Sequence, residues 1–289
     1  MTIKGKIIHY DDHSRLLSVM TLQGKKRIYL QRSMHQTHFK FLYPGIFIAA
    51  RTQKGEAKRR RRHILKEMLT LRQPSQRRVK TLYSYRKVKT QTRDFINALN
   101  YKLFLDFEMS MHPYHKTKNF KQELIQIGYL LEDPKGNIIK KFSSYITPSK
   151  HKKLTKRTTK FLNLTQEDVD AGMQYHDFYV HFKTLLETYM PAIIVWGKND
   201  ALALKDSYRI NKVKSLTKWT RFVNLLKLHK NYFNIKNDLG LKTAFEMYGN
   251  TLETQQHDAY EDAWMTKHVF DAFKAYLNDP VPTVNIPPK

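Results

Sequence analysis

Short runs of alternating apolar and polar residues, separated by turn residues, fill about the first 70 positions of the chain. Asp11-Asp12 and Gln23-Gly24-Lys25 are typical of turns between strands. The pattern predicts strands over residues 3–10, 15–22, 27–30 and 45–50, and a last strand or helix over 59–71. Five short strands in this length of chain are typical of a small barrel, so we predict an all-β, OB-like domain over residues 1–72.

OB barrels bind single-stranded nucleic acid through a basic groove and exposed aromatic rings. The basic run in this segment supplies the predicted nucleic-acid contacts Arg59, Arg60, Arg61 and Arg62. The aromatic candidates, for which core packing is the competing interpretation, are Tyr29, His38, Phe39, Phe41, Tyr43 and Phe47.

Residues 73–98 are rich in lysine and arginine, with Pro74 near the start of the segment. They predict a basic linker that is helical in part, in which Arg77 and Arg78 are further candidates for nucleic-acid contact.

From residue 99 the pattern changes to longer apolar runs and helical periodicity. Strands are predicted at 103–105, 124–131, 138–145 and 192–196, and helices at 165–171, 174–189, 200–208 and 258–276. This order predicts an α/β domain over residues 99–279, with a mixed central sheet flanked by helices. The four prolines in residues 280–289 predict a disordered tail.

The net charge of the chain indicates what kind of partner it binds. The chain has 52 Lys and Arg against 25 Asp and Glu, a formal net charge of +27. The excess is concentrated in residues 1–100, which hold 24 basic and 5 acidic residues. Such a field favours a polyanionic partner, and nucleic acid is the main expectation; a solubility role and an anionic membrane surface are the alternatives.

Several classes of protein are disfavoured by composition. Cysteine is absent, so disulfides and cysteine-based zinc sites are excluded. The start of the chain lacks the pattern of a signal peptide, and no apolar run reaches the roughly 18 residues that a membrane span needs. We expect a soluble, cytoplasmic protein.

Acidic residues follow two of the predicted strands, and others lie at the final helix. Asp106 and Glu108 are two positions apart at a strand end, so their side chains point to the same face, where bound cations would offset the repulsion. An ordinary charged strand end is the competing interpretation. Asp200 follows the strand and turn of residues 192–197, where a helix N-cap is the alternative. Asp262 lies on the final helix, five residues after His257, where a solvated surface turn is the alternative.

In order, spacing and structural context these residues resemble the DEDD exonuclease superfamily. The histidine five residues before the last aspartate is similar to the His-type branch, DEDDh, because the Tyr-type branch has its tyrosine at the position of Asp258. The resemblance implies an RNase H-like fold, two Mg²⁺ or Mn²⁺ ions and proton removal from water by His257. The implied metal ligands are Asp106, Glu108, Asp200 and Asp262.

Further segments narrow the resemblance to the KapD/Eri-like exonucleases over about residues 101–277. These segments are 103–108, 123–128, 196–204, 222–227 and 240–241, with a shortened counterpart at 164–169. The chain departs from the family at Met109-Ser110-Met111, where a threonine is common, and at Asp258, where a glycine is common. The candidates to line the 3′-terminal nucleotide are Phe107, Met109 and Trp196, with core packing an equal alternative for Trp196.

The sequence therefore predicts a metal-dependent 3′→5′ exonuclease acting on single-stranded nucleic acid. The expectation of RNA as substrate rests on the family resemblance alone. Two alternatives stay open: a DNA-directed exonuclease in repair, and a nucleic-acid-binding protein whose nuclease domain is inactive.

Overall fold

The computed structural model describes residues 1–57, 60–75, 77–115, 120–235, 237–251 and 257–279. These residues form two compact units. One comprises Met1–Asp94 with Tyr232–Asn237, and the other comprises Phe95–Asn231 with the residues from Asp238 onward. Three predictions lie outside the described residues: the contact by Arg59, the contact by the Arg60 side chain and the disordered tail over 280–289.

The first unit contains a closed five-stranded barrel, which confirms the prediction of an OB-like fold. Its strands and helix are β1 (Thr2–Asp11), β2 (Leu16–Thr21), β3 (Gly24–Tyr29), α1 (Arg32–His38), β4 (Phe47–Ala57) and β5 (Arg60–Pro74). β1 pairs with β2 and with β4, β5 pairs with β4, and a parallel pairing of β3 with β5 closes the barrel. A strand or a helix was predicted over 59–71, and residues 60–71 of that segment form a strand.

A bulge between Ile7 and His9 lets β1 belong to both halves of the barrel, because a bulged strand bends and twists. Its first residues pair with β4 and its later ones with β2. Inward-facing side chains such as Ile7, Leu17 and Ile28 are fully buried and form the barrel core. Among the aromatic candidates His38 is buried, whereas the rings of Phe39, Tyr43 and Phe47 are exposed.

The segment predicted as a basic linker that is helical in part, residues 73–98, contains strand as well as helix in its described residues. It carries the end of β5, then β6 (Val79–Ser84) and α2 (Tyr85–Asn97). β6 pairs antiparallel with β5 and extends the barrel sheet by one strand. Its first three residues are exposed and include Lys80, so the strand lacks the apolar alternation by which sequence reveals a strand.

The second unit is built on a six-stranded mixed sheet of order β10-β9-β8-β7-β11-β12. The strands are β7 (Lys102–Met109), β8 (Leu124–Glu132), β9 (Ile138–Thr147), β10 (Met173–Gln174), β11 (Ala192–Val195) and β12 (Phe222–Asn224). The helices are α3 (Lys156–Leu162), α4 (Gln166–Asp170), α5 (Tyr175–Tyr189), α6 (Asn199–Ile210), α7 (Leu225–Phe233), α8 (Leu241–Glu246) and α9 (Ala259–Asn278). β7, β8 and β9 are antiparallel neighbours, whereas β11 and β12 continue the sheet in parallel, which gives the predicted RNase H-like architecture.

Alternation along β7 divides its side chains between two hydrophobic layers. Leu103, Leu105 and Phe107 are buried in the core cluster that includes the α5 residues Phe178 and Phe182. Phe104 lies on the other side of the sheet, where its ring contacts Phe270 of α9 at a centroid distance of 5.2 Å. The positions in step with Phe104 therefore face α9.

No helix in the described parts of the chain is both long enough and apolar enough to cross a membrane.

Candidate active site

Two carboxylates of β7 lie on the side of the sheet that α9 covers. Asp106 and Glu108 are in step with Phe104 along the strand, and both are half-buried. In the antiparallel pairing with β8, Asp106 is opposite Gly128 and Glu108 is opposite Gln126. The i, i+2 spacing thus brings the two acids to one face, as predicted.

Asp200 reaches the same edge of the sheet because β11 runs parallel to β7. Gly197 makes the turn from β11 to α6 with a φ of 109°, a backbone conformation that strongly favours glycine. Asp200 is only 4% exposed, and its Oδ1 accepts a hydrogen bond from the Phe107 backbone N–H at 3.2 Å. The N-cap of α6 is Lys198, so Asp200 lies within the helix and the N-cap interpretation of Asp200 is wrong.

The start of α9 is fixed by two polar side chains. Asp258 is the N-cap, and its Oδ1 accepts hydrogen bonds from the backbone N–H groups of Tyr260 and Glu261 at 2.9 and 3.0 Å. Gln126, buried in β8, donates through Nε2 to Asp258 Oδ2 at 2.6 Å. The Gln126 Oε1 also accepts from the Ala259 N–H at 3.3 Å. Gln126, which is opposite Glu108, thus holds the start of α9 against β8, next to Asp106 and Glu108.

Gly128 lets the backbone of α9 approach β8 closely. A Cβ atom at this position would lie 2.1 Å from the Tyr260 backbone nitrogen and 2.2 Å from the Ala259 carbonyl carbon. Asp262, one turn into α9 and 8% exposed, is brought over the sheet by this approach.

The four carboxylates and the histidine converge. Ligand atoms of Glu108, His257 and Asp262 all lie within 4.8 Å of one another, a spacing that can hold a metal ion. Asp106 and Asp200 belong to the same cluster, since their charges act on each other and on Asp262. The structure therefore brings together all five residues predicted from the sequence.

Burial and mutual repulsion raise the pKa values of the cluster. Removal from water raises the pKa of Asp106 well above its usual value, and the charges of Asp200 and Asp262 raise it further. Burial, followed by the charge of Asp262, raises the pKa of Glu108 from 4.5 to about 8. The pKa of Asp200 rises from 3.8 to about 6, mainly through burial, although the hydrogen bond from the Phe107 N–H acts in the opposite direction.

This donor set fits hard divalent cations. Carboxylate oxygens are the ligands preferred by Mg²⁺ and also suit Mn²⁺. Within the described residues, the charged groups that chiefly shift the pKa values of Asp106 and Glu108 are acidic. Divalent cations bound among these carboxylates would offset their mutual repulsion.

The pKa shifts predict how pH and metal affect stability. An acid whose folded-state pKa is raised keeps its proton in the folded chain and loses it on unfolding, so the metal-free protein loses stability as pH rises from about 4.5 to about 8. Saturating Mg²⁺ or Mn²⁺ should raise the melting temperature by about 5 °C at pH 8, because the ligand binds only the folded state. The rise should be smaller at pH 5.5, where protons compete.

Differential scanning fluorimetry with EDTA or metal at the two pH values measures this. Asp106→Asn should reduce the metal-induced rise. An equal rise at both pH values would contradict the assignment of these acids as ligands.

The ring of Phe161, at the end of α3, stacks on His257 with a centroid distance of 4.6 Å and an interplanar angle of 19°. Phe161 is 50% exposed, so the stack lies at the edge of the cluster. The contact restricts the orientation of the imidazole ring.

Three residues were predicted to contact the terminal nucleotide. The prediction for the Phe107 ring is wrong, because the ring is 2% exposed and packs in the core against Phe178, on the side of the sheet away from the acids. Its backbone N–H, which holds Asp200, is the part that serves the site. Met109 is half-buried after a bulge at the end of β7 and packs against the same core cluster as Phe107. Trp196 is half-buried, and its Nε1 donates to the Leu239 carbonyl at 3.0 Å.

The basic candidates belong to the first unit. Arg77 and Arg78 are exposed between β5 and β6. Arg61 and Arg62 line a cleft of the barrel together with basic residues of β3.

The sequence alone assigned no role in the site to four residues that shape it. These are Gln126, Gly128, Phe161 and Asp258. Gln126 and Gly128 lie in a segment that carries the family resemblance, and their two-residue spacing matches that of the acids on β7. If β7 and β8 are assumed to pair as antiparallel neighbours, this spacing could have placed Gln126 and Gly128 opposite the two acids from the sequence alone.

A mixed sheet with four convergent carboxylates and a neighbouring histidine defines a nuclease of the RNase H-like, DEDDh class. Residues 103–270 match the sequence model of the RNase_T family, described as an exonuclease family. The match spans more than half of the chain, and the protein belongs to this exonuclease family. It is a 3′→5′ exonuclease of the DEDDh type, as the sequence predicted.

Similar proteins agree with this placement. The chain is 33% identical over 184 residues to a probable 3′-5′ exonuclease KapD of Bacillus subtilis (strain 168). The aligned region covers 62% of this chain and 89% of that protein.

Among solved structures, the nuclease domain of 3′hExo, a DEDDh family member bound to rAMP, has a TM-score of 0.55 and 16% identity. It covers 66% of this chain and 96% of its own. Cell-death related nuclease 4 (CRN-4) has a TM-score of 0.52 and 19% identity, covering 62% of this chain and 64% of its own. These likenesses establish the fold.

Proposed function

We propose that this protein is a divalent-cation-dependent 3′→5′ exoribonuclease, which removes nucleotides from the 3′ end of single-stranded RNA. The observation that carries the metal dependence is the cluster of carboxylates with raised pKa values at the edge of the mixed sheet. Neighbouring carboxylates without a counter-charge repel one another. Divalent cations bound among them would remove this repulsion and would also promote hydrolysis of a phosphodiester bond.

Each residue of the cluster has a role in this proposal. Asp106, Glu108, Asp200 and Asp262 hold two Mg²⁺ or Mn²⁺ ions. When bound, the two ions would help to activate the attacking water and stabilise the leaving oxygen.

His257 is the general base that takes a proton from the attacking water. Phe161 limits the rotation of the imidazole ring, and Gln126 with Asp258 fixes the helix start that follows His257. Met109 and Trp196 are the side chains proposed to lie beside the terminal nucleotide.

The preference for RNA is supported by similar proteins. One structural relative is bound to rAMP, and another structure of TM-score 0.54 is described as 3′-end specific recognition of a histone mRNA stem-loop by a 3′-exonuclease. The barrel is proposed to bind the same single strand through its basic residues, since OB folds combine a basic groove with aromatic platforms.

Digestion of matched RNA and DNA oligonucleotides tests the substrate. With Mn²⁺ and a 5′ label, RNA should shorten in single-nucleotide steps, at least about tenfold faster than DNA, while a 3′ label is released first as a mononucleotide. The tenfold ratio corresponds to about 1.4 kcal/mol of discrimination at the barrier.

An RNA with a 3′-terminal phosphate serves as the control for direction and should resist digestion. Faster loss of the DNA would contradict the RNA assignment and favour the repair enzyme. Release of internal fragments would contradict exonucleolytic cleavage.

A further inference from the structure

A basic cleft opens in the barrel where β3 and β5 begin. The two strands pair only at Ile28–His63 and Tyr29–Ile64. The cleft before this closure has a volume of about 400 Å³, within the size range of ligand-binding sites. Its lining residues are Lys25, Lys26, Arg27, Arg61, Arg62 and His63.

Among the described residues, the lining of the cleft carries five formal positive charges and no acidic side chain. No ion pair within the described residues joins any of its lysines or arginines to a carboxylate. Glu56 is opposite Arg61 in the β4–β5 pairing, but the two side chains do not form a salt bridge. Like charges at this density repel one another, and an anion would remove the repulsion.

Two polar atoms at the cleft lack partners. Arg62 Nη1 and His63 Nδ1 are both buried and make no hydrogen bond. A buried guanidinium nitrogen without an acceptor is unfavourable, so Arg62, which lines the cleft, has unused capacity to bind an oxyanion. Burial, then the charges of Lys26 and Lys54, lower the pKa of His63, which shows that its surroundings already carry excess positive charge.

The side chains of the cleft form two levels. Lys26, Arg62 and His63 are half-buried, whereas Lys25, Arg27 and Arg61 are exposed. This arrangement suits an extended polyanion, with one charged group held deep and its neighbours in contact with the exposed cations.

We propose that this cleft is a binding site for the phosphodiester backbone of single-stranded nucleic acid, with Lys26 and Arg62 as its deep phosphate contacts. The inference rests on the proposed function for the identity of the polyanion. It assigns the barrel a defined site, formed by the diverging starts of β3 and β5, in place of a general basic surface.

Fluorescence anisotropy with a labelled 20-nucleotide single-stranded RNA tests the site. EDTA in the buffer prevents hydrolysis, so the full-length chain is used unchanged. The cleft variant Lys26→Gln/Arg62→Gln is compared with Arg32→Gln/Lys40→Gln, which removes the same charge from exposed positions of the barrel unit outside the cleft.

At 150 mM salt the cleft variant should bind at least tenfold more weakly than the control variant. The slope of log K against log salt should also fall by about 1.4, because each phosphate contact with a single strand contributes about 0.7. A second cleft variant, Lys25→Gln/Arg27→Gln, changes only exposed side chains and should fold normally, and it should weaken binding in the same direction.

Binding by both cleft variants within twofold of the control variant would overturn the proposal. Equal displacement of the RNA by a polyglutamate of the same charge would overturn the assignment to nucleic acid. Hydrolysis is measured separately with Mn²⁺. A chain that binds through the cleft but releases no nucleotide would contradict the proposed function and leave the cleft assignment supported.

Discussion

Replacing Asp106 with asparagine should reduce nucleotide release by about 10³-fold or more, since loss of one preorganised electrostatic group alone costs a factor of about 10² to 10³. Asp106 interacts electrostatically with Asp200, Asp262 and Glu108, so its carboxylate is central to the proposed cation site. The measurement is the initial rate with saturating Mn²⁺ and 3′-labelled RNA. Binding of the same RNA in EDTA should be largely unchanged.

The same substitution should stabilise the metal-free protein at pH 8. Burial and four acidic neighbours raise the pKa of Asp106, which means that its ionised form is unfavourable in the folded chain. The amide keeps the shape of the side chain and removes the charge. Thermal melting in EDTA measures the gain.

Glu261→Gln is the matched control for Asp106→Asn. Glu261 is exposed in the first turn of α9, next to Asp262 in sequence, so the control removes one acid from the same neighbourhood without touching the cluster. Its rate should stay within twofold of the wild-type rate. An Asp106→Asn rate within tenfold of wild type would contradict the proposed mechanism.

Gly128→Ala should destabilise the protein by about 3 kcal/mol, at the upper end of the usual cost of overpacking. The added methyl group would meet the backbone of Ala259 and Tyr260, which cannot move without shifting α9. Displacement of α9 would carry His257 and Asp262 away from the β7 acids, so the activity of the fraction that folds should also fall. Urea unfolding and the specific rate of nucleotide release measure the two effects.

Gly240→Ala is the control for the alanine substitution. Gly240 has a φ of −62°, which alanine adopts readily, and the only neighbour that its Cβ would meet is Thr243 Oγ1 at 4.0 Å. Its cost should stay below about 1 kcal/mol, as for other changes at a helix N-cap. Equal stability of the two alanine variants would contradict the close approach of α9 to β8.

The sequence predicts the main elements of the second unit because β8 and β11 are buried throughout and α5 and α9 are long helices. The i, i+2 spacing of Asp106 and Glu108 depends only on the geometry of a strand, so their shared face follows directly. The same alternation places Phe107 on the opposite face, and the prediction that its ring contacts nucleotide was wrong for a reason that the sequence already contained.

Other features depend on contacts between distant residues. Gln126 and Asp258 are 132 positions apart, and nothing local to either predicts their hydrogen bond. The pairing of β3 with β5 closes the barrel but involves only two residue pairs. The strand β6 was not predicted, because its first three residues are exposed and the segment around it is rich in lysine and arginine.

The order of the site residues along the chain has a consequence for synthesis. β7 supplies Asp106 and Glu108 early, whereas His257, just before α9, and Asp262, within α9, follow about 150 residues later. A nascent chain therefore carries half of its acidic cluster long before the remaining half exists. Under the proposed mechanism, hydrolysis has to wait until α9 has been translated and docked over Gly128, so a partly made chain on the ribosome would lack a working site.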